Sequence, residues 1–135
     1  MKILIADDNP RMRQMVKQTV ASLATEFYEA GDGGEAIALC AAQQPEWVLM
    51  DFRMKSMDGL RATAEIKARF PRTRVVMVSQ YDDVELRAEA ARVGACAYVL
   101  KENLQELPGI LASMTLGPTA GRPTTALTQS REQVP

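Results

Sequence analysis

Five short apolar runs, each followed by a segment of helical periodicity, limit the fold of this chain more than any other feature. K-I-L-I-A, residues 2–6, is apolar and β-branched and stops at Asp7-Asp8. Asn9 and Pro10 follow, a capping residue and a proline at the first helical position. Met12, Met15, Val16, Val20 and Leu23 then recur at helical spacing, with Arg11, Arg13, Lys17 and Gln18 on the other side. The alternation repeats. Glu26–Ala30 reads as a weak strand, Gly31–Gly34 as a turn, and Glu35–Gln44 as an Ala-rich helix ended by Pro45. Trp47–Met50 is a strand, and Asp58 caps a helix through about Phe70, broken by Pro71. Val75–Val78 is a strand, Asp82-Asp83 start the helix Val84–Val93, and Gly94 stops it. Ala95–Leu100 is the last strand and Asn103–Met114 the last helix, which Pro108 should kink or delay.

Strands that are apolar throughout and joined by helices imply a parallel sheet buried on both faces. The expected class is α/β, a doubly wound five-stranded layer with right-handed crossovers. A length of 135 residues suits one domain. From Gly117 the chain changes character: residues 117–135 carry three prolines, four threonines and little to bury, so they read as a disordered tail or linker after a domain over 1–116.

Charge and residue usage remove several function classes. With 16 basic and 17 acidic side chains, nothing suggests a nucleic-acid or membrane surface. The chain has no histidine, which excludes a His-dependent triad, a His-ligated zinc and a phosphohistidine donor. Cys40 and Cys96 lie apart in apolar runs, as two small buried hydrophobes in a reducing compartment would. There is no signal-peptide pattern and no apolar run of membrane-spanning length, so the expectation is a cytoplasmic protein.

In an open parallel sheet, ligands bind beyond the carboxyl ends of the strands, where the connection order reverses. Strand one ends in Asp7 and Asp8, strand three in Asp51, strand four in Ser79 and strand five in Lys101. Taken singly, each is an ordinary loop or surface residue. As a set they are not, because every central strand ends in a polar group. Three clustered carboxylates cannot all ionise without raising at least one pKa, and a divalent cation removes that penalty. Oxygen donors without Cys or His select a hard ion such as Mg²⁺. Lys101 would then place a positive charge, and Ser79 a hydroxyl, beside an anion near the metal. A carboxylate nucleophile in that setting suits phosphoryl transfer to an aspartyl phosphate.

D-D-N-P after strand one, D-F-R-M-K-S-M-D-G after strand three, V-V-M-V-S after strand four and G-A-C-A-Y-V-L-K around strand five resemble the receiver domain of bacterial two-component response regulators. S-Q-Y-D-D-V-E-L-R and V-L-K-E-N-L-Q-E-L are most similar to receivers that precede a LuxR-type helix-turn-helix output domain. The resemblance covers residues 1 to about 116 and implies a flavodoxin-like (βα)5 fold with strand order 2-1-3-4-5. It implies that Asp51 accepts phosphate from a sensor histidine kinase. Asp8 and Asp51 would bind Mg²⁺ through side chains, Arg53 through its main-chain carbonyl, and Asp7 through water. Ser79 and Lys101 would hold phosphoryl oxygens, and Tyr98 matches the switch aromatic. The responding surface would be the helix Val84–Val93, strand five and the last helix.

Three positions depart from the family pattern. Lys55 and Glu102 stand where proline is usual, and Gln80 where Ala or Gly is, which implies a looser loop and a crowded approach for phosphate. The alternative reading is a receiver-like interaction module that works without phosphate. A small phosphohydrolase fits less well, since it would carry Asp-x-Asp after strand one. Beyond residue 116 only Arg122 and Arg131 are basic, so DNA binding by this chain is not expected. A downstream protein, a DNA-binding domain outside the sequence and a homodimer formed on phosphorylation stay open.

Overall fold

The computed structural model of the protein describes residues 1–115, and the expected tail, residues 117–135, lies outside the described residues. Strands and helices alternate as expected: β1 (Lys2–Ala6), α1 (Pro10–Thr19), β2 (Glu26–Ala30), α2 (Gly33–Gln43), β3 (Trp47–Asp51), α3 (Gly59–Arg69), β4 (Arg74–Ser79), α4 (Val84–Arg92), β5 (Ala97–Leu100) and α5 (Leu107–Thr115). All four strand pairings are parallel, and the order is β2-β1-β3-β4-β5. The chain therefore builds outward from β1 in one direction and from β3 in the other. The crevice of a doubly wound sheet falls between those two strands.

Local chemistry starts each helix. Asn9 Oδ1 accepts the N–H groups of Arg11 and Met12 ahead of Pro10. Asp32, Asp58 and Asp83 cap α2, α3 and α4 by accepting from Glu35, Arg61 and Leu86. Each such cap is worth about 1 kcal/mol.

Strand alternation divides the core. Leu4, Val48, Met50, Val75 and Met77 form one cluster with Ile37 and Cys40 of α2, Ile66 of α3 and Ala90 of α4. Ile3, Ile5, Trp47, Leu49 and Val76 point the other way and are equally buried, and α1 contributes the buried Val16. A register slip of one residue would exchange these two apolar sets, but it would also carry Asp51 off the edge where it meets Asp7.

Two expectations need correction. Lys101–Glu106 forms 3₁₀ turns broken at Asn103 (φ −124°, ψ 37°), so the last helix begins at Leu107 rather than Asn103. Pro108 then occupies the first turn, where its missing N–H costs no helical bond. The chain partitions after Gln105; in the second unit, Leu107 and Leu111 sit one turn apart and are both buried. The second correction concerns Cys96. Cys40 is buried on α2, but Cys96 is exposed. It lies in the turn before β5, where its N–H bonds the Val75 carbonyl and its side chain faces out. The apolar run G-A-C-A-Y was a turn leading into a strand, not a strand throughout. Among the described residues, no helix is long and apolar enough to cross a membrane.

Candidate functional site

The parallel register brings the polar strand ends level. Ala6 pairs with Met50, so Asp7 and Asp51 emerge side by side; Ser79 pairs with Leu100, so Lys101 emerges beside it. Asp7, Asp8 and Asp51 offer carboxylate oxygens that all lie within 4.8 Å of one another. Lys101 Nζ sits 3.0 Å from Asp51 Oδ1 and 3.2 Å from Asp7 Oδ2. Asp7, Asp51 and Ser79 are buried, whereas Asp8 is exposed at the mouth of a cavity of about 230 Å³.

The electrostatics are strained in a definite direction. Burial pushes the Asp51 carboxyl up to about 6. The Lys101 hydrogen bond and charge oppose this, but Asp7 and Asp8 add repulsion, and the upward effects win. Burial works against the charge on Lys101 too, yet Asp51 and Asp7 outweigh it and hold the ammonium above its ordinary value. One ammonium thus serves two buried carboxylates with a third acid nearby. The excess negative charge, held on oxygen donors alone, fits a hard dication.

Ser79 and Tyr98 meet on a single residue. Ser79 Oγ accepts the Tyr81 N–H at 3.0 Å, and the Tyr98 hydroxyl donates to the Tyr81 carbonyl at 2.6 Å. Tyr98 is half-buried, with the Arg87 guanidinium 4.6 Å from its ring centroid. Arg53 and Gln80 line the cavity from its rim, both exposed, and the Arg53 guanidinium lies 5.5 Å from the Tyr81 ring. Lys55 is exposed and its backbone forms an isolated parallel β-bridge with that of Asp32, while its neighbour Ser56 takes a left-handed φ of 68°.

The spacing of polar groups did not reveal two further residues that build this site. Arg13, assigned by periodicity to the solvent side of α1, donates from Nη1 to the Asp7 carbonyl at 2.6 Å and from Nε to Glu29 at 2.9 Å. It ties down the loop that carries two of the acids. Gly59, the first residue of α3, bonds the Phe52 carbonyl at 2.8 Å, and a Cβ there would overlap the Asp51 carbonyl oxygen. Gly59 is what lets α3 start hard against the strand end that bears Asp51. The D-G pair was its only trace in the sequence.

The model of the response regulator receiver domain matches residues 3–112. This chain belongs to the response regulator receiver domain family. This receiver is 40% identical over 107 residues to the regulatory protein AtoC of Escherichia coli, covering 78% of the chain and 23% of that protein. The signal receiver domain of the response regulator NarL from Mycobacterium tuberculosis superposes with a TM-score of 0.75 at 27% identity, over 84% of this receiver and 94% of that chain. A DNA-binding response regulator of the LuxR family from Staphylococcus aureus gives a TM-score of 0.75 at 26% identity, over 83% and 96% of the two chains. The receiver spans between 23% and 50% of the length of the curated relatives just described and their neighbours. Receiver domains are signalling modules of two-component systems that interact with histidine kinases and bind Mg²⁺ at an acidic pocket, and here the three clustered aspartates form such a pocket.

Proposed function

We propose that this receiver is a Mg²⁺-dependent phosphoaspartate switch, and that Asp51 accepts the phosphoryl group of a sensor histidine kinase. The observation that carries the reading is the Asp51 carboxylate, buried at a strand end, 3.0 Å from Lys101 Nζ and within reach of two more aspartates. An oxygen of Asp51 attacks phosphorus while the bond from phosphorus to the kinase histidine nitrogen breaks, its electron pair staying on nitrogen. Lys101 keeps Asp7 as a partner when Asp51 becomes an acyl phosphate, and turns its freed donor to a phosphoryl oxygen. Ser79 already uses its oxygen as an acceptor, so its own O–H remains to donate to a second phosphoryl oxygen. A hard dication held by Asp8, Asp51 and the Arg53 carbonyl, with Asp7 assisting through water, would return Asp51 to its ionised form and offset charge on the phosphoryl oxygens.

Signal leaves through the same residue that holds Ser79. Drawing Ser79 toward phosphate pulls on the Tyr81 amide, and the Tyr98 hydroxyl is bonded to the Tyr81 carbonyl, so the displacement passes to β5 and α4. In this reading the protein is cytoplasmic, acts on no free metabolite and hands its signal to a downstream protein, a DNA-binding domain or a second copy of itself. Incubation with radiolabelled acetyl phosphate tests it. Label should enter only with Mg²⁺ and should be absent from Asp51→Asn. Label that persists in that variant, or never appears, would return the chain to a phosphate-independent module.

A further inference from the structure

A second depression lies next to the acidic pocket and serves no step described so far. It is a groove of about 350 Å³ between the β3–α3 loop and α4. Its apolar surface comes from Phe52, Tyr81 and Leu86, all half-buried, with the Phe52 and Tyr81 rings packed edge to face at 6.5 Å. Its acidic side comes from Asp83, Glu85 and Glu89, all on or capping α4. Arg53 is the cation among the described lining residues, and it lies against the Tyr81 ring. Val84, beside the groove in sequence, is 82% exposed. This side of α4 is not the one that meets β5, where Arg87 lies over Tyr98.

We propose that this groove docks a protein partner through a short segment that presents an apolar side chain flanked by lysine or arginine. The volume accommodates a large side chain, and two aromatic rings with a leucine give it an apolar floor. The rim chooses the flanks. Three carboxylates against one arginine make the local field negative, which repels acidic peptides, nucleic acid and anionic lipid and attracts cations. Two of the three carboxylates are also available, whereas Asp83 already accepts the Leu86 N–H as the cap of α4. Among the described residues Glu89 pairs only with Arg92, both at the surface, where an ion pair is weak and readily exchanged. Glu85 is exposed and makes no ion pair among the described residues.

Selection of phage-displayed random dodecapeptides on the immobilised full-length chain tests this without assuming a partner. Enriched peptides should carry a leucine or aromatic residue beside Lys or Arg, and their amide-shift footprint should centre on Phe52, Tyr81 and Leu86. Glu85→Lys, an exposed change that keeps the fold by circular dichroism, should weaken them about tenfold by fluorescence anisotropy. Glu26→Lys on β2, at the far edge of the sheet, should leave them unchanged. No enrichment, enrichment of acidic peptides, equal binding to Glu85→Lys, or a footprint elsewhere would each overturn the proposal.

Discussion

The two ends of the same parallel sheet solve opposite problems. At the amino end, donors meet acceptors among the groups that close it. Glu46 accepts the Lys2 N–H at 2.7 Å, Lys2 Nζ reaches the Gln43 carbonyl, and Thr73 Oγ1 donates to the buried Pro45 carbonyl at 3.1 Å. Lys67 Nζ closes the α3–β4 turn on the carbonyls of Pro71 and Thr73. At the carboxyl end the count does not balance: Asp7 and Asp51 share Lys101, and Asp8 stands beside them with no ion pair among the described residues. Satisfied groups stabilise a fold, whereas like charges held together oppose it and are kept for what they bind. The same strands thus anchor at one end and store electrostatic tension at the other.

The largest expected effect breaks the geometry of the carboxyl end outright. Gly59→Val places a branched side chain into the Asp51 carbonyl and should lower stability by more than about 3 kcal/mol in urea denaturation. Asp51→Asn goes the other way. In metal-free buffer at pH 7 it should gain on the order of 1–3 kcal/mol, because a buried carboxylate charge, further opposed by Asp7 and Asp8, is gone.

The pH profile of the unaltered chain carries the matching signature. With the folded carboxyl at about 6 and the unfolded one at 3.8, the folded state holds the extra proton between those values. Metal-free stability should therefore fall as pH rises through that window, and the slope should vanish in Asp51→Asn or when Mg²⁺ is present.

At the amino end, Thr73→Val should cost about 1 kcal/mol by leaving the Pro45 carbonyl unbonded, with Mg²⁺ affinity by calorimetry unchanged. A change in Mg²⁺ affinity there would dissolve the contrast between the ends. Arg13→Gln should do the reverse, weakening Mg²⁺ binding a few-fold through the freed Asp7 loop while stability moves by less than about 1 kcal/mol. Smallest of all, Gln80→Ala should speed phosphorylation by acetyl phosphate by under about tenfold, because Gln80 stands at the rim of the pocket and not within it.

Periodicity and caps carried the fold. The apolar runs at Ile3, Val48 and Val75, the turn at Gly31–Gly34 and the helix-starting residues Asn9, Asp58 and Asp83 placed nine of the ten elements within a few residues, because each signal is local. The polar strand ends were legible for the same reason, and the register then made them neighbours. What escaped was long-range or negative in form. Arg13 looked like any solvated helix arginine, since its partner is a carbonyl six residues away around a turn. Gly59 matters through an atom it lacks. Cys96 sat in an apolar run whose first residues turned out to be a loop. Pro108 spoke clearly against a helix already under way at Asn103, and the structure honours it by starting α5 at Leu107.

Because Ser79 and Tyr98 both grip Tyr81 by its main chain, one on the amide and one on the carbonyl, the linkage between them is indifferent to which side chain stands at 81. Evolution is free to vary that ring to adjust traffic at the pocket mouth or in the neighbouring groove without cutting the transmission. Only a residue with no amide hydrogen would sever it.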